Sequence, residues 1–310
     1  MPLIVEGRLV EVPASVAEFF KTYPNFKLSS ERLCSQQSQE VGPKGLLYVG
    51  QREIGGTTPD DDDVHVLGSD DATTCHVVVL LHTGSGAVCI GHFDGCETKK
   101  GLESMVELVL ELSKDETSGR LEIHLVGGFT DEAGHSEKLS LEILKVLTGH
   151  PSEISLVTAC ITDQNTVYKE GVPFPVIYGL AVDVKTRNLY KATFSDKGPD
   201  LPLRGARHFT GGKEMINIYD SHRRWLKIGP FTYKPMHYLE MWCEAPDYII
   251  RQNLSTSPAQ EPEHFEASVR ASLHQMLDHP EPMKTVFSDG KPRTYTKQPD
   301  GEWKRVEQTS

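Results

Sequence analysis

No apolar run in this chain is long enough to cross a bilayer. The longest are of the size of Val77–Leu81, against the ~20 residues that a membrane helix needs. A basic stripe is missing too. Lys and Arg number 32 against 44 Asp and Glu, a formal charge of −12, which argues against nucleic acid as a partner. The opening "MPLIVEGRLVEVP" has no basic region, no long apolar core and no small-residue cleavage site, so no signal peptide is expected. No mitochondrial or peroxisomal motif is present, so the expected place is the cytoplasm, with the nucleus also open. No C-x-x-C pair occurs among the six cysteines at 34, 75, 89, 96, 160 and 243. In a reducing compartment these are expected to be thiols. Cys89, His92 and Cys96 lie close together in "CIGHFDGC" but lack a second ligand pair, so zinc is not expected. Internal repeats and low-complexity linkers are also lacking. The expectation is a single domain, 1–310, and a monomer, with 310 residues sufficient for a sizeable core.

What the chain does have is many short strand signals and a few helical stripes. "PASVAEFFKTYP" carries a short helical pattern, which "SSERLCSQQSQEVG" can continue. "GLLYVGQREIGG" reads as a strand ending in Gly-Gly, and "TTPDDDDVH" as a solvated loop. "GLESMVELVLELSK" has apolar residues at 102, 105, 106, 109, 110 and 112, a core-facing helix. "GRLEIHLVGGFTD" predicts a strand running into a tight turn at Gly127-Gly128, and "SEKLSLEILKVLTGHP" a second helix closed by Gly and Pro. "EISLVTACITD", "FPVIYGLAVDVKTRNLYKATF", "MINIYD", "RWLKIGPFTY" and "MWCEAPDYIIRQ" read as further strands. "PEHFEASVRASLHQMLDHP" reads as a late helix, and the tail as a hairpin turning at Asp-Gly. Strands outnumber helices and cluster. That predicts an α+β fold with antiparallel sheets covered by a few helices.

The segment "SDDATTCHVVVLLHTGSGAVCIGHFDG" carries the chemistry. Two strands flank a Gly-rich turn at 83–86, with Cys75 opening one strand and His92 closing the other. Folded as a hairpin, the two are expected to face each other, close enough for a thiol–imidazole contact. His76, next in sequence, points to the other face, and His82 sits beside the turn. A strand cysteine can equally be an inert core residue. The histidine in register and the polar residues before Cys75 favour a nucleophile with its base. "NLSTSP" at 253–258, including Ser255, is either a hydroxyl-rich turn or a loop that touches substrate.

"LGSDDATTCHVVVLLHTGSGAVCIGHFDG", "LEIHLVGGFTD", "FPVIYGLAVDVKT" and "NLSTSPAQEPEHF" together resemble the protein N-terminal asparagine amidohydrolase family, and the similarity runs through nearly the whole chain. The resemblance implies conversion of N-terminal Asn to Asp, upstream of arginylation and ubiquitin-dependent degradation, with Cys75 as nucleophile. A more distant resemblance, to bacterial chemoreceptor glutamine deamidases and deamidating toxins, implies an α-β-β sandwich with a deamidase-like core around 45–200, the C-terminal strands and helix of 200–310 packing on it. It also implies His92 as the base, Ser69 as its hydroxyl partner and a role for Gly127-Gly128. Where those enzymes have a Gly-rich stretch this chain has Asp70–Thr74, so Thr73 or Thr74 could stand in for Ser69.

The expected chemistry is attack of the Cys75 thiolate on the side-chain carboxamide, with a thioester intermediate and no metal or organic cofactor. Backbone N–H groups near Cys75 or at Gly127 and Gly128 are candidate oxyanion donors. Asp70, Asp71, Asp94 and Glu261 are candidate acceptors for the substrate's free α-ammonium. Two other readings stand beside this one. The first is a thiol deamidase acting on glutamine or another amide. The second is a binding module without activity.

Overall fold

The structure is a computed structural model and describes residues 3–116, 118–233 and 238–306. Its first strands are β1 (Leu3–Val5), β2 (Arg8–Leu9), β3 (Gln39–Val41), β4 (Leu46–Tyr48), β5 (Glu53–Thr57) and β6 (Val66–Ser69). The central ones are β7 (His76–His82), β8 (Val88–Phe93), β9 (Leu121–Gly127) and β10 (Ile154–Ile161). Then come β11 (Thr166–Lys169), β12 (Val172–Pro175), β13 (Leu180–Asp183) and β14 (Leu189–Phe194). Short strands β15 (Ile216–Asn217), β16 (Tyr219–Asp220), β17 (Trp225–Ile228), β18 (Arg293–Lys297) and β19 (Trp303–Arg305) complete them. The helices are α1 (Val16–Thr22), α2 (Asn25–Cys34), α3 (Thr98–Leu112), α4 (His135–Thr148), α5 (Leu201–Ala206), α6 (Leu239–Cys243), α7 (Asp247–Leu254), α8 (Phe265–Asp278) and α9 (Pro282–Thr285).

The strands form a large sheet in the order β15-β5-β8-β7-β9-β10-β1-β2 and a second sheet in the order β3-β14-β13-β6-β4. Strand β7 is antiparallel to both its neighbours, β8 and β9. It is buried along its whole length, and for that reason it reads as an unbroken apolar run rather than an alternating one. One face of the large sheet receives α1, α3 and α4. Leu102, Met105, Val106 and Val109 of α3 and Leu139, Ile143, Leu144 and Leu147 of α4 lie against Val78 and Leu80, as the 3.6-residue stripe requires. The other face, through Val77, Val79, Leu81, Val88 and Ile90, packs on Leu47, Leu67, Leu180 and Val182 of the second sheet. The layers are helix, sheet, sheet, an α+β arrangement. A four-stranded sheet, β16-β17-β18-β19, and a helical cluster centred on Ile250, Leu273 and Met276 follow toward the C-terminus.

Three local expectations differ from the structure. "MWCEAPDYIIRQ" forms α6 and α7, not a strand. Cys243 and Ile250 bury against the face of α8 that carries Val269, Leu273 and Met276, and this tertiary contact outweighs the β-preference of so short a run. "GLLYVGQREIGG" is two strands in different sheets, divided at Arg52 with φ 57°, and its Gly-Gly lies inside β5. The run Asp60–Asp63 is not merely a solvated tip. Asp61 is buried and accepts hydrogen bonds from Thr57 and Tyr219 hydroxyls at 2.6 and 2.8 Å and from the backbone N–H groups of Asp63 and Val64.

Candidate active site

The β7–β8 hairpin closes between His82 and Ala87, whose backbones bond at 2.9 Å. That closure pairs Val77 with His92 and His76 with Phe93. Cys75, which stands just before the first residue of β7, therefore does not face His92 directly, as its spacing suggested. Cys75 lies two residues before Val77 and so on the same face of the sheet, diagonal to His92. Both side chains point into the layer between the two sheets, where Cys75 packs on the inner apolar cluster. His76 points the other way, its Nε2 bonded to Ser140 Oγ of α4 at 2.7 Å.

Ser69 ends β6 in the facing sheet and is fully buried. Its Oγ meets His92 Nδ1 at 2.8 Å, a hydrogen bond that spans the sandwich. Thr73 and Thr74 are turned elsewhere, so the hydroxyl beside the imidazole is that of Ser69. The other ring nitrogen, His92 Nε2, is buried with no hydrogen-bond partner. Burial pushes the imidazole down to about 4, outweighing the nearby Asp94 and Asp71, so His92 is neutral near pH 7. Burial, followed by the charges of Asp94 and Glu261, pushes the Cys75 thiol above its ordinary range. The resting pair is thus thiol and imidazole, not thiolate and imidazolium. Cys75 nonetheless keeps partial access to solvent.

The backbone around Cys75 is held by the glycine pair. Gly128 N–H donates to the Cys75 carbonyl at 2.8 Å, so in this geometry it is not free to serve an oxyanion. Gly127 has φ 133°, and a Cβ there would stand 2.5 Å from the same carbonyl oxygen. Asn165 Nδ2 anchors the turn by donating to the Gly128 carbonyl at 2.8 Å.

The four carboxylates considered as ammonium acceptors differ sharply. Lys197 Nζ bridges Asp70 and Asp71 at 2.7 and 2.5 Å. Asp70 also accepts from the Tyr48 hydroxyl at 2.8 Å, and Asp71 from His264 at 2.9 Å. Burial and the neighbouring Asp71 raise Asp70. Against its own burial, the bonds from His264 and Lys197 hold Asp71 low. Asp94 is paired with Arg52 at 2.6 Å and bonded to Gln51 at 2.7 Å, and it is held low despite burial. Glu261 bonds the Ser255 hydroxyl at 2.5 Å. Burial pushes its carboxyl up to about 7, with Asp71 adding to the rise and Ser255 and Arg251 opposing it.

The "NLSTSP" segment is docked on the residues just before the nucleophile. Ser257 Oγ donates to Thr73 Oγ1 at 2.8 Å, and the hydroxyls of Thr74 and Thr256 meet at 2.9 Å. Lys197, His264 and Tyr48 were not found by sequence reasoning. Their partners lie 126, 193 and 22 residues away, and no local spacing marks them. The "CIGHFDGC" residues do not converge on a metal, because Cys89 faces the helical side of β8 and His92 the inner side.

Comparison with known proteins finds similarity along nearly the whole chain. A family model described as protein N-terminal asparagine amidohydrolase matches residues 36–305. A Homo sapiens protein of that name is 44% identical over 306 residues, covering 99% of this chain and 98% of its own. A Mus musculus protein of that name is 42% identical over the same shares. One from Arabidopsis thaliana is 27% identical over 329 residues, 98% of this chain and 92% of its own.

Proposed function

The chain belongs to the protein N-terminal asparagine amidohydrolase family, and from that premise we propose that Cys75, His92 and Ser69 carry out the hydrolysis of the side-chain amide of an N-terminal asparagine. The observation that carries this reading is the bond between Ser69 Oγ and His92 Nδ1 across the sandwich. It leaves His92 Nε2 buried without a partner on the face that Cys75 shares.

With Nδ1–H donated to Ser69 Oγ, Nε2 holds a lone pair and is the base. It takes the Cys75 proton as sulfur attacks the carboxamide carbon. The proton transfer accompanies the attack, since both groups rest neutral. The tetrahedral intermediate collapses with loss of ammonia, to which His92 returns the proton. The resulting thioester is opened by water activated by the same nitrogen, giving the aspartate side chain and the free thiol. Ser69 acts through the imidazole and is a positioning residue. The chemistry needs neither metal nor organic cofactor. Among the described residues no helix is long and apolar enough to cross a membrane, and the reading places the enzyme in the cytoplasm as a monomer whose Asp product feeds arginylation and degradation.

Peptides beginning Asn, Gln and acetyl-Asn, and one with internal Asn, incubated with the protein and followed by mass spectrometry and ammonia release, test this. Turnover of the N-terminal Asn peptide above all others, abolished in Cys75→Ala, is the expected result. Equal turnover of Gln would replace the reading with a general thiol deamidase, and no turnover of any peptide would end it.

A further inference from the structure

We propose that the Glu261 carboxylate receives the α-ammonium of the substrate, so that a free N-terminus is recognised by an acid that forms no ion pair among the described residues. The inference rests on the asparagine amidohydrolase reading of Cys75 and His92, and adds to it the group that reads the amine.

The argument begins with position. The loop after α7 is fastened to the strand entrance by the Ser257–Thr73 and Thr256–Thr74 hydroxyl bonds and to β12 by Gln260 Nε2 on the Pro173 carbonyl at 2.8 Å. Glu261 ends this fastened segment, with one carboxylate oxygen fixed by Ser255. Its charge bears directly on the Cys75 thiol and on Tyr178. In asparagine the α-nitrogen and the side-chain carbonyl carbon are only three bonds apart. A carboxylate that holds the first while sulfur attacks the second must therefore lie close to the nucleophile.

The second step is elimination by charge. Asp70 and Asp71 share Lys197, Asp71 also has His264, and Asp94 has Arg52. Glu261 takes part in none of the ion pairs among the described residues. The nearest cation on its own segment, Arg251, is committed. It pairs with Glu266 and donates to the carbonyls of Pro258, Glu261 and Pro262. The charged groups around Glu261 are thus Asp71 and Glu266, both repelling its charge, and Arg251, partly offsetting them. A carboxylate held in such a place is stabilised by an incoming ammonium more than one already paired.

A consequence for the chemistry follows. While Glu261 is unpaired, its charge opposes formation of the Cys75 thiolate. The substrate's ammonium neutralises that charge as it binds. The amine then both anchors the substrate and eases activation of the thiol, and a substrate without it loses kcat as well as affinity.

The experiment compares wild type with Glu261→Gln on an N-terminal Asn peptide and on the same peptide with a succinamoyl group in place of Asn, which keeps the carboxamide and lacks the amine. Iodoacetamide alkylation of Cys75 is measured without substrate. Wild type is expected to prefer the amine-bearing peptide by ~10–100-fold, the range of a charge-assisted hydrogen bond. Glu261→Gln should raise KM for the Asn peptide and bring the two peptides within a few-fold of each other. It should also alkylate faster than wild type at pH 8 but little faster at pH 6, where Glu261 of the wild type is largely protonated; mere loosening of the loop would speed alkylation at both. The wild-type KM should rise as pH falls through about 7, where Glu261 takes up a proton, and this dependence should vanish in Glu261→Gln. Should that variant fail to fold, the wild-type peptide ratio and its KM against pH decide alone. A wild-type preference that Glu261→Gln leaves intact, or a wild type indifferent to the amine, overturns the inference while leaving asparagine hydrolysis standing. Failure of wild type on the Asn peptide strikes the activity itself.

Discussion

Replacing Gly127 with alanine probes how tightly the nucleophile's backbone is held. The residue has φ 133°, which L side chains adopt at a cost of ~1–3 kcal/mol. Its new Cβ would lie 2.5 Å from the Cys75 carbonyl oxygen and 3.0 Å from His76 Cα. Both are backbone atoms that cannot rotate aside, and overpacking of this kind adds ~1–3 kcal/mol. The sum, ~2–6 kcal/mol, is a large part of the ~5–15 kcal/mol that holds a domain together. Relief requires β7 and β9 to part at Cys75, and misplacing a reacting atom by ~1 Å costs ~100-fold in rate. Gly134→Ala is the control. Gly134 also has positive φ, 68°, but nothing stands within 4 Å of its would-be Cβ, so only ~1–2 kcal/mol is expected. Thermal melts followed by circular dichroism, with kcat measured well below each midpoint, make the comparison. A Gly127→Ala protein as stable and as fast as Gly134→Ala would refute the claim that this glycine exists for close backbone approach to Cys75.

Cys75→Ala should abolish turnover while changing stability by ~1 kcal/mol or less, and adding His92→Ala should reduce activity no further, because the two work as a unit; residual turnover in either is measured by ammonia release. Ser69→Ala leaves His92 Nδ1 buried and unpartnered, so kcat should fall ~10-fold with KM little changed and stability should drop by ~1–3 kcal/mol. Glu261→Gln should stabilise the protein at pH 8 but not at pH 4. A carboxyl raised from 4.5 to about 7 on folding costs nothing below its unfolded value and its full penalty above its folded one, ~3 kcal/mol at 1.36 per pH unit, or ~2 kcal/mol after solvent screening; urea titrations at the two pH values read the difference. Asp61→Ala should cost ~2–4 kcal/mol by orphaning Tyr219 and two backbone N–H groups, visible as a lowered urea midpoint without loss of kcat in the folded protein.

The layered architecture was legible where side-chain period decides it. The stripes of α3 and α4 and the apolar run of β7 each say which face is covered. The hairpin register was not. Treating Cys75 and His92 as facing residues displaces the pairing by two positions, yet a displacement of two preserves the face because strands alternate with period two. That is why the two side chains still share the inner layer. The Ser69–His92 bond, by contrast, joins two sheets, and nothing in the spacing of 69 and 92 reports it; only resemblance to other deamidases suggested it. The ion pairs of Lys197 and His264 with Asp71 join segments brought together by the whole fold, so charge in the sequence could nominate four carboxylates but not say which was already neutralised. The helical "MWCEAPDYIIRQ" failed for a related reason, since its choice was made by α8, some twenty residues downstream.

The clasp between the 255–261 loop and Thr73–Thr74 also sets an order in time. During synthesis the nucleophile, its base and Ser69 leave the ribosome early, while Thr256, Ser257 and Glu261 arrive some 180 residues later. A nascent or C-terminally clipped chain carries Cys75 but not the loop that flanks it. On the Glu261 proposal, the capacity to bind a free N-terminus therefore arrives only once residue 261 has been made and the loop has docked on Thr73 and Thr74.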